Sequence, residues 1–238
     1  MKAIILAAGR GSRMKSLTDD RPKCLVELRG KTLLDWQIDA LRMAGIHEIG
    51  IVTGYRHELL EGRGLKEFHN RIWASTNMVS SLASAQAWLE SSPCIVSYSD
   101  IFYSPVAVQS LMACTANIAV TYDPHWLKIW ERRFEDPLID AETFRLAADR
   151  TLIEIGNRPI SIEEVEGQYM GLLRFTPKGW AEIVRIRSTM LSEERDKMHM
   201  TGTLQKVIDA KFMPIEAVPY EGEWGEVDSE EDLISYLR

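Results

Sequence analysis

Ala3-Ile4-Ile5-Leu6-Ala7-Ala8-Gly9-Arg10-Gly11-Ser12-Arg13-Met14, with Leu17-Thr18 and Arg21-Pro22-Lys23 behind it, decides how this chain is read. Ala3 to Leu6 reads as a buried strand. Gly9 to Pro22 reads as a long polar loop with two glycines and several charges. A glycine-bearing turn after a strand is where α/β folds bind phosphates, because backbone N–H groups approach an anion with no Cβ in the way. Two common phosphate motifs do not fit. A dinucleotide fingerprint needs a third glycine where Met14 stands, and Gly30-Lys31-Thr32 ends like a Walker loop but has Leu25 where its first glycine belongs. That tripeptide reads as a turn between a strand and the next helix.

Outward from this stretch, strands and helices alternate. Cys24 to Leu28 is a short apolar segment. Leu34, Ile38 and Leu41 recur at helical spacing, and Gly45 supplies the stop. Glu48–Thr53, Cys94–Tyr98 and Ile118–Tyr122 read as strands, and Met78–Leu89 as a helix capped by Thr76 or Asn77. Gly167–Phe175 and Ile215–Pro219 read as later strands, Pro177–Met190 and Thr203–Ala210 as helices. Ser229 and Asp232 open a C-terminal helix with a capping-box-like pair. The pattern predicts an α/β fold, a Rossmann-like, mostly parallel sheet with helices on both faces. Residues 126–150, dense in Trp, Arg, Glu and Asp, read as loops and short elements rather than another βα unit. The expected organisation is one domain over 1–238, with 126–165 as an inserted acceptor-binding or lid segment.

Composition sets limits on function. The chain has 238 residues, 45% of them apolar, and a net charge of −7. It is long enough to bury a core without disulfide or metal staples. The acidic balance argues against a nucleic-acid partner, which calls for a basic face, but a few local cations can still hold a phosphate. Three cysteines, Cys24, Cys94 and Cys114, fit no disulfide or zinc pattern and suit a reducing compartment. The N-terminal apolar run is short for a signal peptide, and no segment approaches the roughly 20 apolar residues of a membrane span. A soluble cytoplasmic protein with no membrane partner is expected, and a homo-oligomer is compatible with it. The histidines His47, His57, His69, His125 and His199 show no metal-ligand spacing and read as surface or packing residues.

The loop resembles the signature of nucleotidyltransferases that activate phosphorylated sugars and small alcohols. That signature runs Leu-Ala-Ala-Gly-x-Gly, Ser or Thr, Arg, Leu or Met, then Pro-Leu-Thr and Pro-Lys. The chain departs from it at Ser16, where proline is usual, which should affect loop stiffness more than chemistry. The reaction implied is attack of an acceptor phosphate on the α-phosphorus of a nucleoside triphosphate, with pyrophosphate leaving. Positioning and charge neutralisation supply most of such catalysis. By resemblance, Arg13 holds the pyrophosphate, and Lys23 spans the α-phosphate and the acceptor. The acceptor phosphate is already ionised at neutral pH, so no general base is required. Leu6, Ala7, Ala8, Gly9, Gly11, Ser12 and Ser99 join them in the implied nucleotide site. Thr53-Gly54-Tyr55 matches the family's loop after the third strand. Thr76–Leu82 is similar to an Asn-rich stretch of the cytidylyltransferases for phosphocholine and phosphonates, which brings in Asn77 and Ser81 and favours CTP. Read alone, Asn77 is a helix cap.

Asp100 ends a strand, where open sheets place ligand sites, and Mg²⁺ is usually held by one or two carboxylates plus substrate phosphates. Asp100 is therefore the first expected Mg²⁺ ligand. By resemblance Asp228, in Glu226-Val227-Asp228, is the second; its plain alternative is an acid near a helix N-terminus. Further segments are similar to the CTP:phosphoglutamine cytidylyltransferases of capsule phosphoramidate synthesis. These are Ser97–Tyr103, Trp130-x-Arg132-Arg133-Phe134 with Pro137-Leu138 and Asp140–Thr143, Gln168–Leu172, and Met200-Thr201. A phosphorylated amino-acid amide needs a cation for its carboxylate, and Arg132 or Arg133 is expected to supply it. Phosphocholine would instead need an aromatic cage from Trp126, Trp130 and Tyr169. Glu166 suits an ammonium in either case, and Tyr55 completes the expected acceptor set. Two other readings compete. A glycosyltransferase of similar fold commonly uses Asp-x-Asp, but Tyr98 stands two residues before Asp100. A non-catalytic nucleotide sensor would not need Arg13, Lys23, Asp100 and Asp228 together.

Overall fold

β1 (Lys2–Ala7) shows why the sheet must be covered on both faces. Side chains alternate along a strand. Ala3, Ile5 and Ala7 enter one apolar cluster with Leu34, Leu41 and Ile51. Ile4, Leu6 and Ala8 enter the opposite one with Val52, Val79 and Val96. Each fully buried Ile or Leu contributes about 1.5–3 kcal/mol relative to exposure, so neither face can be left to water.

The computed structural model describes residues 1–237, and for Lys15 and Ser16 it describes the backbone only. The Ser16 side chain, and with it the question of loop stiffness, lies outside the described residues. After β1 comes a 3-10 segment (Ser12–Thr18), then a short ribbon of β2 (Glu27–Leu28) and β3 (Lys31–Thr32). α1 (Leu33–Met43), β4 (Ile49–Thr53) and β5 (Lys66–His69) follow, then α2 (Met78–Leu82), α3 (Gln86–Ser91), β6 (Cys94–Tyr98) and β7 (Ile101–Tyr103). α4 (Pro105–Ala113), β8 (Ile118–Asp123), α5 (Leu127–Arg133), β9 (Phe144–Leu146) and β10 (Leu152–Ile155) make the middle. The chain closes with β11 (Gln168–Phe175), α6 (Pro177–Ser188), α7 (Ser192–Lys197), α8 (Met200–Ala210), β12 (Ile215–Pro219), β13 (Trp224–Glu226) and α9 (Glu230–Leu237).

Seven strands form the central sheet in the order β12-β8-β11-β6-β1-β4-β5. β11 runs antiparallel to both neighbours, β6 and β8; the other pairings are parallel. β1 has β4 on one side and β6 on the other, so successive crossovers leave in opposite directions. The carboxyl ends of β1 and β6 then border the crevice where such sheets bind ligands. The β11–β8 ladder is interrupted between Tyr169 and Leu173. Gly171 there has φ +77°, and a Cβ on it would lie 2.8 Å from the Tyr98 ring. This bulge turns Tyr169, Met170 and Gly171 to the wall of the crevice.

Caps fix the helix ends that frame the site. Thr32 Oγ1 accepts from Asp35 N–H and donates to its carboxylate. Ser229 and Asp232 bond reciprocally, as the capping-box reading requires. The helix expected over Met78–Leu89 is instead divided by a 3-10 turn at Ala83–Ala85. Ala83-Ser84-Ala85 contains no helix breaker, so nothing local announced the division. Between Trp126 and Ile155 the chain forms α5 and an antiparallel β9–β10 pair outside the main sheet. No helix among the described residues is long and apolar enough to cross a membrane.

Candidate active site

The crevice holds two adjoining chambers. The first, about 290 Å³, lies over the end of β1 and is walled by the glycine loop, the start of α2 and the end of β6. The second, about 230 Å³, continues toward β11 and α8. Arg13, Met78 and Tyr98 line both.

Gly11 explains much of the local geometry. Its φ is +72°, and a Cβ there would come within 2.9 Å of Lys23 Cβ. Glycine therefore permits both the turn and the passage of Lys23 beneath it. Lys23 is buried, with Nζ 2.8 Å from Asp100 Oδ2 and also hydrogen-bonded to Asp228 Oδ1. Burial by itself lowers the pKa of this ammonium, but the charges of Asp100, Asp228 and Glu226 outweigh it, and the net shift is upward. Burial likewise pushes Asp228 up, but Lys23 and Arg13 prevail and hold it below the usual range. Glu226 is pushed up to about 8, by burial first and then by Asp228 and Asp100. Arg13 is held closely by Asp228 and only loosely by Asp140, 4.0 Å from its Nη1. Its Nη2 lies 2.8 Å from Asp228 Oδ2 while 68% of its side chain is exposed, so an incoming anion can recruit it at small cost.

Asp100, Glu226 and Asp228 bring carboxylate oxygens within 4.8 Å of one another. Asp100 Oδ1 is buried and makes no hydrogen bond. Three carboxylates against one buried lysine, with one oxygen unsatisfied, is a donor set that fits a hard divalent cation. Glu226 is the member that the sequence supported less firmly than Asp228. Its signal was the i, i+2 spacing from Asp228, which puts both on one side of the extended segment after β13.

Leu6, Ala8, Gly9, Gly11, Ser12, Arg13, Lys23, Asn77, Ser81, Ser99 and Asp100 line the first chamber. Three expected members do not. Ala7 packs into the apolar cluster on the other face of β1. Thr53 is buried, and its hydroxyl faces Glu67 and His69 at the sheet edge. Gly54 lies beneath the floor, where a Cβ would come within 2.6 Å of Ala8 O and of Trp73. Trp73, Thr76, Met78 and Tyr98 line the chamber unannounced. Buried Asn70 orders this wall by donating to Thr76 and Ser81.

The acceptor expectations need more correction. Tyr169 lines the second chamber, but Trp130, Arg132, Arg133, Glu166 and Tyr55 do not. Trp130 is 1% exposed, packed against Trp126 and Trp224. Arg133 is fully enclosed and paired with Asp232 and Glu226. Arg132 borders a separate hollow beside Arg29 and Phe102. Glu166 is exposed and accepts from Leu146 N–H. Tyr55 donates to Asp19 O and packs edge-on to Trp73. An expected aromatic cage of Trp126, Trp130 and Tyr169 is therefore not assembled, because both tryptophans are spent on the core. The second chamber instead presents Asp140, Glu142, Gln168, His199 and Thr201. Burial raises the Asp140 and Glu142 carboxyls above their usual range. Of the histidines, read from sequence as surface or packing residues, His69 and His199 are exposed. His199 lines this chamber, and His57, Glu67 and His69 come together at the sheet edge.

A glycine loop at a switch-point crevice, with a buried lysine among carboxylates, handles phosphates, and the class that this fold and site define is the nucleotidyltransferases. Residues 3–160 match the model of the MobA-like NTP transferase domain, and the chain belongs to that family. It is 36% identical to a CTP:phosphoglutamine cytidylyltransferase of Campylobacter jejuni over 98% of both chains. A choline-phosphate cytidylyltransferase of Streptococcus pneumoniae is 42% identical over 34% of this chain and 38% of its own. Among solved structures, the inositol-1-phosphate CTP transferase of T. maritima shares the fold, with a TM-score of 0.78 at 20% identity over 99% of this chain and 94% of that one.

Proposed function

We propose that this enzyme transfers CMP from CTP to phosphoglutamine and releases pyrophosphate, with Mg²⁺ as cofactor. The observation that carries this reading is the 36% identity over 98% of both chains to a relative of that activity. The first chamber takes CTP, and the second, between β11, α8 and the inserted segment 126–165, takes the acceptor. Lys23 lines the first chamber and bonds Asp228, which lines the second; there its ammonium meets the α-phosphate and the acceptor phosphate together. Arg13 leaves Asp228 for the departing pyrophosphate. Both act by neutralising charge in place, the term that dominates phosphoryl chemistry. Asp100 and Asp228 would hold Mg²⁺, which would supply the remaining positive charge for the triphosphate. Asp100→Asn is expected to weaken Mg²⁺ dependence by at least about 10-fold, read as the half-saturating Mg²⁺ concentration for turnover. An unchanged value would remove Asp100 from the metal site.

The test is pyrophosphate release with CTP and Mg²⁺ against phosphoglutamine, phosphocholine, 2-aminoethylphosphonate and sugar 1-phosphates. Release with phosphoglutamine above the others is expected. One observation favours phosphocholine or the phosphonate as a second reading, since Asp140 and Glu142 also suit an ammonium. Release with those alone would move the acceptor there. Silence with CTP, but release with UTP, would overturn the base.

A further inference from the structure

Asn77 lines the first chamber and His199 the second, and the two side chains meet. Met78 N–H donates to Asn77 Oδ1 at 2.7 Å, which fixes the orientation of the amide. Its nitrogen therefore faces Lys197 O at 3.0 Å and His199 Nδ1 at 3.1 Å. An amide nitrogen only donates, so His199 Nδ1 accepts, and the ring proton of the neutral imidazole resides on Nε2. His199 is also the N-cap residue of α8, an 11-residue helix, and its side chain does not cap that helix. The first-turn N–H groups of such a helix favour an anion. Against the same turn, Thr201 Oγ1 donates to Glu142 Oε1 at 3.3 Å. A donor and a carboxylate thus stand side by side on one wall. Opposite them, on β11, Gln168 Oε1 and the Tyr169 hydroxyl are buried without a well-formed hydrogen bond.

We infer that the second chamber is an amino-acid subsite, in which Glu142 receives the α-ammonium of the acceptor and His199 Nε2–H, at the start of α8, receives its α-carboxylate. The two charges of an amino acid sit on one carbon, so they need an acceptor and a donor placed next to each other. A trimethylammonium has no N–H to give Glu142 and no carboxylate to give His199. This inference rests on the proposed phosphoglutamine reading and names the residues that select that acceptor. Asn77 is a positioning residue in it, holding His199 in the donating tautomer.

The experiment compares kcat/KM for phosphoglutamine with two analogues, in which hydrogen replaces either the α-ammonium or the α-carboxylate. Wild-type enzyme is expected to prefer phosphoglutamine to each by about 10- to 100-fold, the loss of one charged hydrogen-bonding partner. Glu142→Gln should treat phosphoglutamine and its desamino analogue alike. His199→Ala should treat phosphoglutamine and its descarboxy analogue alike. Both variants should keep the wild-type KM for CTP and the wild-type melting temperature. A purely structural role would lower all acceptors together, and that result would overturn the subsite while leaving CMP transfer to phosphoglutamine intact. Undiminished discrimination in the variants would overturn it equally. Wild-type turnover of phosphocholine or a sugar phosphate, but not of phosphoglutamine, would overturn the acceptor reading and the subsite with it. In ¹⁵N spectra of the wild type, His199 should appear as the Nε2-protonated tautomer, and an Nδ1-protonated ring would contradict the donor assignment.

Discussion

Lys23→Ala should lower kcat/KM by about 100- to 1,000-fold, the scale seen when one preorganised charge-stabilising donor is removed from an active site. The loss should fall on kcat as well as kcat/KM, since Lys23 acts where charge gathers in the transition state. Stability offers a second readout. In the wild type, Lys23 is the buried cation hydrogen-bonded to both Asp100 and Asp228. Without it Asp100 loses its lysine partner, and Asp228 and Glu226 keep only Arg13 and Arg133; breaking a buried pair in this way costs about 3–5 kcal/mol. For a chain of this size that is a fall in Tm of about 6–20 °C in divalent-free buffer. Mg²⁺ should raise the Tm of the variant more than that of the wild type, because the cation enters a site with one positive charge fewer. The activity should not return with it. A Lys23→Ala enzyme with near-normal turnover would assign the transfer to another group. Loss of activity with no change in metal-free Tm would mean that the carboxylates tolerate one another through solvent.

Arg133→Ala should strongly destabilise the fold. The guanidinium is 1% exposed, with Nε 2.7 Å from Asp232 Oδ1 and Nη1 3.4 Å from Glu226 Oε2. It also covers the Trp130 ring at 4.8 Å. Through these contacts the end of α5 is tied to the capping residue of α9 and to the strand that leads into Asp228. Truncation strands two acids in a partly buried place, at about 3–5 kcal/mol, and a comparable fall of about 6–20 °C in Tm is expected. Thermal melting checks the magnitude. Acceptor kinetics well below the melting range check the assignment, since KM for the acceptor should change far less than stability does. A variant that melts normally, but has a KM for phosphoglutamine raised 100-fold or more, would return Arg133 to the acceptor role suggested by the sequence.

Lys23 and Arg133 show why one part of the crevice was legible and another was not. The first chamber could be read because its geometry is local. A strand, a glycine with φ of +72°, an exposed Arg13 and a lysine passing beneath the loop lie within 22 residues of one another. Backbone conformation and Cβ clearance are properties of such a short stretch, so residue types and spacing nearly determine them. Asp100, in the turn that follows β6, and the Ser229–Asp232 capping box were legible for the same reason: each follows from its own element. The second chamber draws Asp140 and Glu142 from the segment before β9, Gln168 and Tyr169 from β11, and His199 and Thr201 from the start of α8. No spacing rule links them.

The sequence by itself determined the alternation of strands and helices, the two-faced burial of β1, and the glycine loop with Lys23 behind it; Asp228 came only from a family resemblance. Only the tertiary structure decided which charges are spent on holding the fold and which remain for a ligand. Arg133 and Trp130 are of types that recognise carboxylates and ammonium groups. Packing instead assigns one to Asp232 and Glu226 and the other to a tryptophan cluster. His199, which carries no sequence signal, lines the second chamber and meets the amide of Asn77, 122 residues away. Side-chain chemistry is written residue by residue, but the availability of a charge depends on its neighbours in space, and those are set only when the whole chain has folded.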